Sequence, residues 1–123
     1  MAIFVSTALF TVMHGGAFEE GIIPVLCVIT MSIAMTLVME YGGSLLAPII
    51  MHFVWNGMGA IICNVVTLAD DYPHVLNAIF SGNGIMTGGS CKIEGSLVVL
   101  AINSLLVLIF AVLFRKNAGY KTT

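Results

Sequence analysis

Hydrophobic residues dominate four stretches of the chain, and glycines or charged residues separate them. These apolar segments cover about residues 1–14, 22–39, 44–68 and 96–114. At the rise of an α-helix, the second and fourth reach roughly 27–28 Å, which matches the hydrocarbon core of a bilayer. The third reaches roughly 37 Å, so it has to tilt or extend past the membrane. The pattern predicts an all-α, polytopic transmembrane bundle of about four helices.

The first apolar segment is shorter than the others. Its residues reach only about 20 Å as a helix, short of a full crossing. It lacks the basic start and the small-residue cleavage site of a signal peptide. We therefore expect a truncated first helix that begins further upstream. On this interpretation residues 1–123 are a single membrane domain, the C-terminal part of a larger membrane protein.

Composition supports a membrane environment. Hydrophobic residues make up 59% of the chain and charged residues only 8%, whereas a soluble domain carries about a quarter charged residues. The composition thus predicts that the lipid bilayer is a partner of this chain. A net charge of −2 without a basic patch argues against nucleic acid. The three cysteines have no C-x-x-C spacing, so no disulfide framework is indicated: Cys27, Cys63 and Cys91.

The basic residues predict the orientation in the membrane. They cluster just after the last apolar segment: Arg115, Lys116 and Lys121. This clustering favours a cytoplasmic C-terminus. With four spans, the N-terminus faces the same side, and the polar loop at 69–95 faces the other. That loop is rich in turn-forming residues, and we consider it either a lid or re-entrant segment or a tether.

Two histidines lie inside apolar segments, each with a partner one helical turn away. The pairs are Phe10 with His14 and His52 with Asn56. Polar side chains at bilayer depth are costly and usually functional, and residues at i and i+4 share a helix face. His14 and Asn56 each fall about 18 Å along their helices. We therefore expect the pairs to converge near mid-membrane if these helices are neighbours.

Such a centre suits hydrolytic chemistry. Imidazoles bind zinc or act as general acid and base, and a carboxamide can donate to a developing oxyanion. A catalytic zinc usually takes three protein ligands, and the sequence offers two, His14 and His52, if a divalent metal such as zinc is bound. No buried carboxylate completes the set. The alternative for a lone membrane histidine is a hydrogen bond across a helix interface.

For most of the other charged and aromatic residues near the apolar segments, we expect a solvated or packing role and no role in chemistry. Glu19 and Glu20 follow a glycine pair and are expected in a solvated turn, and His74 is expected to be solvated in the polar loop. Trp55 is expected to pack against a neighbouring helix, as is Phe10. Glu94 borders the last segment and could face a polar cavity, although its spacing does not establish this.

The motifs resemble the CPBP family of intramembrane proteases, also called the Abi or CAAX-protease family, which includes the Rce1-like prenyl-protein endopeptidases. The family pattern is Glu-Glu-x-x-x-Arg, then Phe-x-x-x-His, then His-x-x-x-Asn or Asp. Phe10 and His14 match the second motif. The stretch at 43–56, with its Gly-Ser-Leu lead, looks like the third. The resemblance implies that His14 and His52 position or coordinate a water or metal and that Asn56 steadies the oxyanion.

One element of the family pattern is absent. No Glu-Glu-x-x-x-Arg precedes Phe10; Glu19 and Glu20 follow His14 instead, and Pro24 stands where the arginine belongs. In the family, that glutamate pair is thought to activate the hydrolytic water. By resemblance, the chain therefore holds half of a catalytic apparatus.

The leading hypothesis is a bacterial plasma-membrane endopeptidase of this family, acting on peptides or prenylated proteins at the membrane. Bacterial relatives are linked with bacteriocin self-immunity, and that role follows by analogy alone. The alternative is a non-catalytic remnant or an immunity or binding protein that lacks the catalytic glutamates. An ion or proton pathway is disfavoured, because the second and fourth segments carry few polar residues.

Overall fold

The computed structural model describes residues 2–67 and 72–120. All regular structure in these residues is helical, which confirms the predicted fold class. The helices, in chain order, are α1 (Ala2–Met13), α2 (Gly16–Glu20), α3 (Ile22–Gly42), α4 (Leu46–Asn56), a π-helix (Gly57–Ile62), α5 (Gly84–Thr87), a 3₁₀ segment (Gly89–Gly95) and α6 (Leu97–Tyr120).

Helix α3 is the centre of the bundle, and α1, α4 and α6 all pack against it. Its buried positions include small residues such as Cys27, Ser32 and Ala34, and small side chains let neighbouring membrane helices approach closely. The Ser32 hydroxyl donates to Thr7 Oγ1 of α1 at 3.3 Å. The Asn103 carboxamide of α6 donates to the carbonyl of Cys27 at 3.2 Å. Packing and these hydrogen bonds hold α1 and α6 on α3.

The outer faces of the helices are apolar. Phe4 is 78% exposed, Phe53 73% and Leu108 64%. A soluble monomeric protein rarely exposes so large an apolar surface to water. Helix α3 and the stretch Gly89–Asn117 are long and apolar enough to cross a membrane, and two shorter apolar helices accompany them, Ile3–Met13 and Leu46–Ile62. The fold is that of a helical membrane bundle.

The third apolar segment contains a change of helix type. After the 11 residues of α4, the chain continues for 6 residues as a π-helix, and the Cys63 amide donates to the carbonyl of Met58 at 2.9 Å. The helix ends at Ile62, six residues before the predicted end at 68. Val75 and Leu76 donate their amides to the carbonyls of Ile61 and Ile62. The loop thereby satisfies carbonyls that a helix end leaves unpaired.

The polar loop folds back against this helix end. The Ile93 amide donates to the carbonyl of Val65 at 3.1 Å, so the 3₁₀ segment lies beside residues 64–67. Arg115 and Lys116 are exposed near the end of α6. Lys121, which the orientation prediction also uses, and residues 69–71 of the loop lie outside the described residues.

Candidate active site

His14 lies directly after the end of α1, and its ring is held by the residue one turn earlier. Its Nδ1 is 2.7 Å from the carbonyl oxygen of Phe10. A carbonyl can only accept a hydrogen bond, so Nδ1 carries the proton and donates. The ring also stacks on Phe10 with centroids 4.2 Å apart and planes at 27°. In the neutral ring, this arrangement leaves the lone pair on Nε2 for another partner.

His52 meets this pair from α4. Its ring centroid is 6.0 Å from that of His14 and 5.4 Å from that of Phe10. The phenyl ring thus packs on the His14 imidazole one turn away, as expected, and also contacts the ring of His52. The aromatic ring limits the rotation of both imidazoles and keeps apolar surface around them.

Asn56 follows His52 by one turn and faces the same space. Both side chains are half-buried. Within residues 2–67 and 72–120, neither the His52 imidazole nor the Asn56 carboxamide hydrogen-bonds to another group of the protein. These two polar groups are therefore available to a ligand.

The polar side chains form a wall between two cavities. The inner chamber has a volume of about 50 Å³ and is lined by Phe10, Trp55 and Asn103, among others. The outer cavity has a volume of about 430 Å³ and is bordered by the glycines after α1, by Glu20 and by Thr67. Both cavities share five lining residues: His14, Val28, His52, Asn56 and Glu94.

Glu94 is the residue that the sequence left undecided. It extends from the 3₁₀ segment, and its Oε2 accepts hydrogen bonds from the Thr67 amide at 2.9 Å and the Thr67 hydroxyl at 2.7 Å. Its Oε1 accepts from the Trp55 indole N–H at 3.4 Å. The side chain is half-buried. An ionisable residue at the edge of an apolar segment was the one signal for it in the sequence.

The family described as type II CAAX prenyl endopeptidase Rce1-like matches residues 1–58. This range contains both Phe10 with His14 and His52 with Asn56, so the resemblance predicted from the motifs is confirmed. The Rce1-like family is a family of membrane proteases. No curated protein and no solved structure gives a significant match.

The Rce1-like match ends before the polar loop. Glu94 and Thr67 therefore lie outside the matched residues, although Glu94 lines the same cavities as the two histidines. The structure brings together side chains from the matched and the unmatched parts of the chain.

Three residues make contacts that the sequence did not predict. The Glu20 side chain is exposed, as expected, but its carboxylate also lines the outer cavity and accepts a hydrogen bond from the Ser90 hydroxyl at 2.8 Å. His74 is half-buried and donates from Nδ1 to the carbonyl of Ala60 at 2.9 Å. Trp55 lines the inner chamber, and its indole N–H donates a hydrogen bond to Glu94 Oε1. Glu19 is exposed, as predicted.

The described residues do not fit a resident zinc ion. Among them, no group of three histidine, cysteine, aspartate or glutamate side chains is placed to hold a metal, whereas a catalytic zinc usually has three protein ligands. The chemistry of the site is therefore derived from its imidazole, carboxamide and carboxylate groups.

Proposed function

We propose that the chain is a membrane-embedded endopeptidase that hydrolyses peptide bonds of membrane-anchored substrates such as prenylated proteins. One observation carries the proposal. Two imidazoles and a carboxamide, His14 from just after α1 and His52 and Asn56 from α4, line both a small chamber and a larger cavity. The Rce1-like match supplies the reaction class and the membrane-associated substrate.

The proposed mechanism assigns a role to each group. The Nε2 atom of His14 accepts a hydrogen bond from a water in the inner chamber, because its Nδ1 is already occupied by Phe10. His52 holds the same water from the opposite helix. The scissile carbonyl approaches from the outer cavity, and the Asn56 carboxamide donates to the oxygen as negative charge develops. Such a donor contributes about 10²–10³-fold to the rate in a water-excluded site.

The test is a cleavage assay on the chain reconstituted in liposomes. A farnesylated peptide with a C-terminal Cys-aliphatic-aliphatic-X sequence serves as the substrate, and mass spectrometry detects the shortened product. We expect His14→Ala and His52→Ala to reduce cleavage by more than about 100-fold. The matched control is Phe53→Ala, because Phe53 is adjacent to His52 but 73% exposed on the outer face. Cleavage that survives His52→Ala would contradict the proposal.

The second candidate is non-catalytic binding of a peptide or partner, including an immunity role. The half-buried side chains of His52 and Asn56 favour it, because within residues 2–67 and 72–120 they have no hydrogen-bond partner and are available to a bound peptide. The same liposomes distinguish the two: binding of the labelled peptide that depends on His52, without any product, would support this candidate.

A further inference from the structure

We propose that Glu94 is the carboxylate that activates water in the inner chamber. The inference rests on the peptidase function proposed above. It names a carboxylate that, within the described residues, lines the same cavities as the two imidazoles and the Asn56 carboxamide.

The first argument is location. Glu94 is one of the five residues shared by the inner chamber and the outer cavity, together with His14, His52 and Asn56. Among the residues that the structure describes, it is also the one carboxylate in the lining of the inner chamber. A base has to reach both the water and the space where the peptide binds, and this shared wall is the place that meets both needs.

The second argument is the hydrogen bonding of the carboxylate. Oε2 is engaged by both the amide and the hydroxyl of Thr67. Oε1 has a single long contact, to Trp55. A carboxylate has about four acceptor positions. Thr67 therefore fixes the orientation of the group, and Oε1 keeps the capacity to accept a hydrogen bond from water.

The third argument is the strained backbone that presents Glu94. Lys92 has φ 50° and ψ −148°, a conformation unusual for a non-glycine residue. Gly88 has φ 89°, and a Cβ there would lie 1.4 Å from the carbonyl oxygen of Lys92. Such strain persists only where surrounding contacts enforce it, and it concentrates at functional sites. Here two hydrogen bonds hold the strained turn in place. The Ile93 amide donates to the carbonyl of Val65, and the Lys92 ammonium donates to the carbonyl of Val66.

The fourth argument is space. A buried water needs roughly 10–15 Å³ and two to four polar partners. The inner chamber has about 50 Å³, and its wall offers imidazole, carboxamide and carboxylate groups. It therefore has room for the attacking water beside Glu94.

The proposed step conserves atoms and charge. Oε1 of Glu94 takes a proton from water while the water oxygen forms a bond to the peptide carbonyl carbon. The carbonyl π electrons move to the oxygen, where Asn56 donates a hydrogen bond. When the oxyanion collapses, the C–N bond breaks and its electron pair stays on nitrogen. Glu94 then gives its proton to that nitrogen, which releases an amine and a carboxylic acid and restores the carboxylate.

The experiment compares Glu94→Gln and Glu94→Asp with the wild-type chain in the liposome assay with the farnesylated peptide. We expect Glu94→Gln to lower kcat by at least about 100-fold, the usual contribution of a general base. We expect KM to change by less than about threefold, because the carboxylate acts in the transition state. Glu94→Asp should recover part of kcat.

The matched control is Thr67→Val, which removes one hydroxyl donor and keeps the carboxylate. A purely structural Glu94 predicts similar losses of kcat for Thr67→Val and Glu94→Gln. The proposal predicts a loss of kcat of less than about tenfold for Thr67→Val, because the carboxylate is still present. If Glu94→Gln fails to insert, the Glu94→Asp variant decides: a fall in kcat at constant KM supports the proposal, and an unchanged kcat overturns it.

The outcomes separate this inference from the proposed function. Full activity of Glu94→Gln, with His52→Ala inactive and Phe53→Ala active, overturns the role of Glu94 and leaves the peptidase function in place. A wild-type chain that binds but does not cleave the peptide overturns both.

Discussion

Two histidines make the same type of hydrogen bond but lie in different surroundings. His14 and His74 each donate from Nδ1 to a backbone carbonyl, of Phe10 and of Ala60 respectively. The ring of His14 then faces a second imidazole 6.0 Å away, whereas His74 lies outside the lining of both cavities. The difference comes from the neighbours that the fold supplies, because each ring alone has the same donors and acceptors.

A prediction at this scale concerns Asn103, which is 3% exposed and donates to the carbonyl of Cys27 on another helix. We expect Asn103→Leu to lower the free energy of unfolding by about 0.5–1.5 kcal/mol, the usual range for a hydrogen bond between membrane helices. SDS-induced unfolding in mixed micelles measures the change.

The control for Asn103 is its neighbour Ser104. The Ser104 hydroxyl donates to the carbonyl of Leu100 in its own helix at 2.7 Å. Ser104→Ala therefore breaks no contact between helices and should change stability by less than about 0.5 kcal/mol. Equal effects of the two substitutions would show that the contact between α6 and α3 contributes nothing.

Among the helical elements, the π-helix and the 3₁₀ segment were the hardest to predict. The run of apolar residues at 44–68 indicates a helix but contains no information about the shift from i→i+4 to i→i+5 bonding at Gly57–Ile62. That shift comes from the contacts of the helix end. Gly59 is buried, and a Cβ there would approach Val66 to 3.1 Å. At the end of the π-helix, the carbonyls of Ile61 and Ile62 accept hydrogen bonds from the amides of Val75 and Leu76.

The 3₁₀ segment allows a test on two adjacent glycines. A Cβ on Gly88 would meet the carbonyl oxygen of Lys92 at 1.4 Å, whereas one on Gly89, with φ 59°, meets nothing within 4 Å. We expect Gly88→Ala to cost more than about 3 kcal/mol in local stability. Gly89→Ala should cost only about 1–2 kcal/mol, from its left-handed backbone alone.

Hydrogen exchange measures this difference locally. The Ile93 amide, which bonds to the carbonyl of Val65, should lose protection in Gly88→Ala and largely keep it in Gly89→Ala. Retained protection in both variants would show that the turn can rearrange without releasing the segment that carries Glu94.

At the scale of the whole molecule, the orientation in the membrane remains a prediction. The basic residues after α6 favour a cytoplasmic C-terminus, with the polar loop on the other side. In a variant whose cysteines are replaced by alanine, we expect Ile79→Cys to react with a membrane-impermeant maleimide added outside the cell. Ile79 is 91% exposed in that loop.

The matched position is Lys116, exposed at the other end of α6. Lys116→Cys should react only after the membrane is permeabilised. Labelling of Lys116→Cys in intact cells, together with protection of Ile79→Cys, would reverse the orientation and place the outer cavity on the cytoplasmic side.

The bundle itself follows from the sequence because it depends on local properties. Runs of apolar side chains identify helices and a lipid-facing surface, and the i, i+4 spacing places His52 and Asn56 on one face whatever the neighbours are. The same spacing places Phe10 below His14. The match to the Rce1-like family model also covers these short motifs, which lie within residues 1–58.

Tertiary structure alone decided how the separate parts meet. The contact between the rings of His14 and His52 depends on how α1 and α4 pack on α3, and no local pattern specifies that packing. Glu94 enters the chamber because a strained turn folds the loop back onto residues 64–67, across a distance of 27 residues to Thr67. Hydrophobic periodicity reports burial along one element, whereas a site built from distant residues depends on contacts that exist only in the folded chain.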